Sequence, residues 1–158
     1  MYTEKRREEI KMTKAIYFDM DGTIANLYGI ENWLEHLINE HTKPYREAKA
    51  MVDMRALGRE LNRLKANGYV VGVVSWLSKC GTEDYNARVT KAKRDWLAKH
   101  LSAVEWDEIH IVSYGTPKRE VVDNPFGMLF DDEIGNRENW IGKAYDVNNI
   151  IEILKEMK

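Results

Sequence analysis

Two pairs of aspartates, in Asp19-Met20-Asp21 and Asp131-Asp132, and one serine, Ser75, stand where their types and spacing could do chemistry. Each sits where a short apolar run stops: AIYF runs into Asp19, YVVGVV into Ser75 and GMLF into Asp131. An apolar run bounded by polar residues reads as a strand buried on both faces. In an open α/β sheet, ligands bind beyond the carboxyl ends of the strands. If these strands are neighbours, four carboxylates and a hydroxyl converge on one sheet edge. Crowded carboxylates repel and raise each other's pKa values, so a divalent cation is the economical way to keep them ionised. Hard carboxylate oxygens favour Mg²⁺. Such an ion makes a place for a phosphate, which so acidic a pocket would otherwise expel.

The elements that must position these residues can be read from periodicity. Met51, Met54, Leu57, Leu61 and Leu64 recur at three- to four-residue steps until Asn67-Gly68, which predicts an amphipathic helix with a C-terminal stop. Tyr69 to Val74 follows as a β-branched strand. Val89, Ala92, Trp96, Leu97 and Leu101 mark a second helix, with the Lys91, Lys93, Arg94 cluster read as its solvated face. Further strands are expected at Glu108–Val112, Gly127–Phe130 and Lys143–Val147, and a closing helix at Ile150, Ile151, Leu154 and Met157. Strict strand–helix alternation predicts an α/β, three-layer, Rossmann-like fold, with a mainly parallel five-stranded sheet, helices on both faces and right-handed crossovers. The stretch from about 24 to 48 breaks the alternation. It reads as a small helical insertion with one helix near Glu31–Glu40, whose apolar face is Trp33, Leu34, Leu37 and Ile38.

Composition bounds the rest. The 158 residues suit one domain, expected at 14–158, behind a polar N-terminal extension at 1–13. Lys plus Arg number 24 against 26 Asp plus Glu, a net charge of -2, so there is no global basic field to draw the protein onto nucleic acid. The single Cys80 excludes an intramolecular disulfide framework. His36, His41, His100 and His110 are too scattered to join it as zinc ligands. A reducing cytoplasm suits this chain, and no apolar run approaches the roughly 18 residues that span a bilayer, so no membrane partner is expected.

Asp19-Met20-Asp21-Gly22-Thr23 resembles the first motif, DxDGT, of the haloacid dehalogenase-like (HAD) superfamily of phosphohydrolases. Ser75 after YVVGVV resembles its second motif, Lys118 in Gly115-Thr116-Pro117-Lys118 its third, and Asp131-Asp132 after GMLF its fourth. All four occur in order. The resemblance implies that Asp19 is the nucleophile and becomes an aspartyl phosphate, and that Asp21 is the general acid and then the base. It implies a phosphate pocket drawn from Ser75, the next backbone N–H at Trp76, Gly22, Thr23 and Lys118. Gly22 permits the sharp exit from the strand, Thr23 can brace the acid/base carboxylate, and Lys118, with Arg119 as its competitor, neutralises developing charge. A Mg²⁺ ion would be held by the Asp19 side chain, the Asp21 carbonyl and a fourth-motif carboxylate. Asp132 with Asn136 fits the family spacing where Asp131 with Gly135 does not, so Asp132 is favoured as direct ligand and Asp131 as its partner.

The same resemblance frames the substrate. HAD enzymes select substrates chiefly with a cap inserted after the first motif, and here that insertion is short. Such a cap closes poorly over a small substrate unless a second subunit helps, so a homodimer is a further expectation. Tyr28, Trp33, Tyr45 and Trp76 are the aromatics that could stack on a base, with Trp76 best placed, and Asn136 is a further substrate candidate. The run VTKAKRDWLAKHL…DEIHIVSYGTPKREVV…GMLFDDE is similar in layout to 5′(3′)-deoxyribonucleotidases, although that family's cap is larger. The Phe130-Asp131-Asp132 and Arg137-Glu138-Asn139-Trp140 layout resembles the phosphatase domain of polynucleotide kinase-phosphatases, which have an open site. The expected activity is a Mg²⁺-dependent phosphomonoesterase acting on a nucleoside monophosphate. The alternatives are a nucleic-acid 3′-end or protein phosphatase, and a HAD-like scaffold that binds a phospholigand or partner without turnover.

Overall fold

A computed structural model describes residues 3–4 and 14–158. The polar extension expected at 1–13 lies, apart from Thr3 and Glu4, outside the described residues. The first strand, β1 (Ala15–Phe18), is the AIYF run, and all four residues are buried. A tight turn follows in which the Met20 carbonyl accepts from the N–H groups of Thr23, Ile24 and Ala25. Next come β2 (Ala25–Asn26), a 3-10 turn (Leu27–Gly29), α1 (Trp33–Ile38), α2 (Lys43–Glu47) and β3 (Lys49–Ala50). The chain then alternates: α3 (Met54–Ala66), β4 (Val70–Trp76), α4 (Glu83–His100) and β5 (Glu108–Val112). A 3-10 turn (Lys118–Glu120), β6 (Met128–Phe130), α5 (Ile134–Asn139), β7 (Ala144–Tyr145) and α6 (Ile150–Glu156) complete it.

The five strands order as β5-β4-β1-β6-β7, and each neighbouring pair is parallel. Register places Phe18 beside both Val73 and Phe130, so Asp19 and Asp131 leave the sheet at one level, with Ser75 two residues past Val73. Because side chains alternate along a strand, β1 serves two cores. Ile16 and Phe18 pack with Leu57, Leu61, Trp96, Leu97 and Leu154 from α3, α4 and α6. Ala15 and Tyr17 face the other way, toward Val74, Val122, Leu129 and Trp140. Phe18 stacks on Phe130 at 5.2 Å, and Tyr17 meets Trp140 edge-on at 5.8 Å.

Local differences from the sequence reading have simple causes. The Asp53 carboxylate accepts from the Ala56 N–H and caps α3, worth about 1 kcal/mol. The helix therefore begins at Met54, and Met51 lies exposed in the connection before it. β4 runs on through Ser75 and Trp76 because β5 continues to pair with it, Ser75 beside Ile111 and Trp76 beside Val112. The insertion holds two short helices rather than one. The left-handed conformation of Glu40, at φ 56°, ends the first, and Pro44 in the first turn starts the second. Its ends are closed by the antiparallel pair β2–β3, with Ala25 opposite Ala50. The Trp96 indole N–H donates to the Ala48 carbonyl at 2.7 Å and ties the insertion to α4. Within the described residues, no helix is long and apolar enough to cross a membrane.

Candidate active site

The carboxyl ends of β1, β4 and β6 place the expected groups on the floor of one cavity of about 510 Å³, whose lining includes Asp19, Asp21, Lys118, Asp131 and Asp132. Asp19 continues the sheet pairing, its N–H donating to the Phe130 carbonyl at 2.9 Å. Its two carboxylate oxygens have different partners. Lys118 Nζ donates to Oδ1 at 2.9 Å, and the Thr23 hydroxyl donates to Oδ2 at 3.0 Å. Lys118 also donates to Asp131 Oδ2 at 2.6 Å, so one buried cation bridges the ends of β1 and β6. Burial opposes the lysine's charge, but the Asp19 and Asp131 carboxylates outweigh it and hold its pKa above the ordinary value.

Gly22 takes φ 79°, a left-handed backbone that favours glycine, and a Cβ there would lie 2.4 Å from Asp132 Oδ2. The close approach of the two loops therefore requires glycine at this position. Thr23 is wholly buried and sits between them, 3.3 Å from Asp132 Oδ1, while the Asp132 N–H donates to its Oγ1 at 3.2 Å. Thr23 thus braces Asp19 and Asp132, not the Asp21 carboxylate assigned to it from the sequence.

Asp131 is buried and its oxygens are engaged: Oδ1 by the Glu133 N–H at 2.9 Å, Oδ2 by Lys118 and by Asn136 Nδ2 at 3.2 Å. Burial and the charge of Asp19 push it up to about 6. Asp132 is more exposed, yet desolvation and the neighbouring Asp19 push it up to about 7. One oxygen from each of Asp19, Asp131 and Asp132 falls within a 4.8 Å cluster. Such a spread of hard oxygen donors suits a small divalent cation, and the raised pKa values express the repulsion a cation would relieve.

Asp21 has a different environment. Burial is the main cause that raises its pKa, against the opposing pull of Lys93. Lys93 is the residue that the sequence reading missed. It belongs to the charged cluster assigned to solvent, yet only Lys91 and Arg94 are exposed, whereas Lys93 retains 1% of its surface. Its Nζ donates to Asp21 Oδ2 at 2.9 Å, Ser75 Oγ at 2.8 Å and the Trp76 carbonyl at 2.6 Å. The spacing carried the signal: Tyr85, Val89, Lys93 and Trp96 step by four, four and three, which puts Lys93 on the buried stripe. Ser75 is fully buried and its hydroxyl serves Lys93; the cavity wall along this strand begins at Trp76.

Above the floor, Trp76 donates from its indole N–H to the Thr116 carbonyl at 2.8 Å, and its ring meets Tyr114 at 4.9 Å. Tyr28 and Trp33, which also line the cavity, meet edge-on at 4.8 Å. Tyr45, in α2, is buried among Leu27, Tyr85 and Val89 and reaches the cavity lining with only 4% of its surface exposed. Asn136 lines the cavity while bonded to Asp131. Arg119 is exposed and Lys118 occupies the site.

No protein-family model matches the chain, and no curated protein matches it. Among solved structures it is similar to the D,D-heptose 1,7-bisphosphate phosphatase from Burkholderia thailandensis, with a TM-score of 0.55 at 13% identity over 91% of this chain and 97% of that one. A looser likeness is to the 3-deoxy-D-manno-octulosonate 8-phosphate phosphatase from Moraxella catarrhalis, with a TM-score of 0.36 at 15% identity over 87% of this chain and 67% of that one. The second is too distant to bear on the argument. The first bears on the architecture alone: this chain has the α/β, Rossmann-like fold, with a five-stranded parallel sheet, that its strand–helix alternation predicts.

Proposed function

We propose that this protein is a Mg²⁺-dependent phosphomonoesterase that works through an aspartyl phosphate and takes nucleoside monophosphates. The observation that carries the reading is the Lys118 bridge between Asp19 and Asp131, at 2.9 and 2.6 Å, beside an acid, Asp21, held on a separate lysine. Two carboxylates two residues apart are thereby placed in different surroundings, as a nucleophile and an acid/base must be.

Asp19, Asp132 and the Asp21 carbonyl would hold the metal, with Asp131 in support. Asp131 is the less available of the fourth-motif pair because its oxygens already serve Lys118, Asn136 and the Glu133 N–H. When bound, the ion would supply positive charge that offsets the clustered carboxylates and favours a phosphoryl group beside them. An Asp19 oxygen attacks phosphorus as the bond to the leaving oxygen breaks, and Asp21 gives that oxygen its proton. Asp21 then takes a proton from water, whose oxygen attacks phosphorus and releases Asp19 and inorganic phosphate. Burial keeps Asp21 protonated to higher pH than an exposed aspartate, as the first step needs. Lys118 and the backbone N–H of Trp76 stabilise the phosphoryl charge, the Leu77 N–H being held by the Val112 carbonyl at 2.7 Å. Tyr28, Trp33 and Trp76 line the cavity with flat faces suited to a base.

Phosphate release with Mg²⁺ across deoxy- and ribonucleoside monophosphates, sugar phosphates and a 3′-phosphorylated oligonucleotide tests this, with Asp19→Asn as control. The expected result is a mononucleotide preference that Asp19→Asn abolishes. Preference for the oligonucleotide would make the site an end-processing one. Mg²⁺ binding with no hydrolysis of anything in the panel would leave a non-catalytic scaffold.

A further inference from the structure

Lys93 is a buried cation to which the proposed mechanism gives no step of its own. It lies midway along α4, and among the described residues it is, with Lys118, one of two lysines buried almost completely. An ammonium has three hydrogens and no acceptor, and Lys93 has three acceptors within 2.9 Å: Asp21 Oδ2, Ser75 Oγ and the Trp76 carbonyl. Two of these belong to the last residues of β4, which the sheet fixes. The third belongs to the turn after β1. The Tyr45 ring covers Nζ from the insertion at 5.1 Å. Lys93 therefore has no hydrogen left for a substrate and no surface on which to meet one.

We infer that Lys93 is a positioning residue for Asp21: it pins one carboxylate oxygen to the end of β4 and so turns the other toward the leaving oxygen. The inference rests on the functional reading above and extends it. Held only by its own backbone, a carboxyl in a turn would swing about its last side-chain torsion, which is broad. With Oδ2 fixed by a buried donor that is itself anchored twice, only Oδ1 remains to deliver the proton. The two lysines divide the work, Lys118 serving the nucleophile and Lys93 the acid. Ser75 gains a role here as well, as one of the anchors that aim the Lys93 ammonium.

Proton delivery matters in proportion to how poorly the leaving group departs without it, which separates positioning from general damage. The variants are Lys93→Met and Ser75→Ala in the full chain, with kcat/KM measured for a nucleoside 5′-monophosphate and for p-nitrophenyl phosphate. The phenolate leaves without a proton; the alkoxide does not. Lys93→Met is expected to lose on the order of 100-fold on the nucleotide and less than about threefold on p-nitrophenyl phosphate. Ser75→Ala should show the same selectivity at roughly tenfold, and the double variant should be no worse than Lys93→Met alone, because both act through one contact. Equal losses on the two substrates, or no loss, would overturn the inference. If Lys93→Met does not fold, as judged by circular dichroism, Ser75→Ala decides alone, since it leaves no buried charge unpaired. Wild-type protein that hydrolyses neither substrate would overturn the functional reading itself, and the Lys93 role with it. That outcome is distinct from an active enzyme whose variants lose no selectivity.

Discussion

The floor of the cavity and its roof are built on opposite principles. On the floor, the Asp19 and Asp131 carboxylates have partners on both oxygens, and the groups that hold them, Lys118 and Thr23, are buried. In the roof, α1 buries none of its residues: Leu34 and Ile38 are exposed, and Tyr28 presents half its surface. The floor is cross-linked between three parallel strands, while the roof is closed by one antiparallel pair and docks on α4, through Trp96 to Ala48, Tyr85 to His41 and Thr82 to Glu40 and through Tyr45 packed with Tyr85 and Val89. Chemistry needs groups held to within fractions of an ångström, and the floor provides that. Apolar residues left uncovered beside a rigid acidic floor suit contact with the part of a substrate that does not react.

The sharpest way to break this contrast is at the floor. Asp19→Asn should reduce turnover by 10⁴-fold or more, a magnitude on the order of that for removing a nucleophile, measured as phosphate release under saturating Mg²⁺. Lys118→Met should lower kcat by about 10³-fold, in the range of losing one electrostatic stabiliser. It should also destabilise the fold, because Asp19 and Asp131 are left as facing carboxylates with their shared cation gone; unpairing a buried charge costs about 3–5 kcal/mol, readable in denaturant melts. An active Lys118→Met enzyme would mean that the bridge is structural only.

How far the floor could be read from sequence follows from the same physics. Asp19, Ser75 and Asp131-Asp132 stand at the ends of apolar runs, and parallel register does the rest, since Phe18 lies beside Val73 and Phe130. The AIYF and EIHIV strands appear where the runs begin and end. Lys93 escaped because a lysine between Lys91 and Arg94 reads as charge before it reads as phase. Only the stripe of Tyr85, Val89 and Trp96 shows which of the three points inward. The roof was less legible. Its helices have five and six residues, too short for periodicity to speak, and its boundaries depend on one left-handed residue and on pairing between residues 25 apart, Ala25 and Ala50.

The floor should also carry a pH signature that the roof lacks. Asp131 and Asp132 have folded pKa values raised from 3.8 to about 6 and about 7. The folded state then holds protons that the unfolded state has already lost, so stability from these groups is fully present below about pH 4 and is lost as pH rises toward 7. In metal-free protein the Tm should fall by roughly 5 °C between pH 5 and pH 8 from this source, the exposure of Asp132 limiting the effect. Saturating Mg²⁺ should remove most of that fall, because bound metal replaces the proton. In the Asp132→Asn variant the slope should be shallower and the Mg²⁺ effect smaller; an unchanged slope would mean that Asp132 is not the titrating group, and an unchanged Mg²⁺ effect would remove it from the metal site.

The roof should give the smallest and most selective effect. Tyr28 and Trp33 meet edge-on at the cavity wall, and Tyr28 stands in a 3-10 turn outside the five-stranded sheet. Burial and the nearby Asp21, Asp132 and Asp19 push the Tyr28 phenol above its ordinary pKa, so its hydroxyl stays neutral throughout the working range and the ring acts as a flat surface. Tyr28→Ala and Trp33→Ala should therefore raise KM for a nucleoside monophosphate about tenfold, the order expected for losing a ring from a stack with a base, with kcat within about twofold. Inorganic phosphate, which has no base, should inhibit both variants as it inhibits the wild type. Glu35→Ala, on the exposed side of α1 and outside the cavity lining, serves as the control for general disturbance of the insertion. A drop in kcat with Tyr28→Ala would mean that the roof orients the reacting phosphate as well as the base, and that the division of labour between floor and roof is wrong.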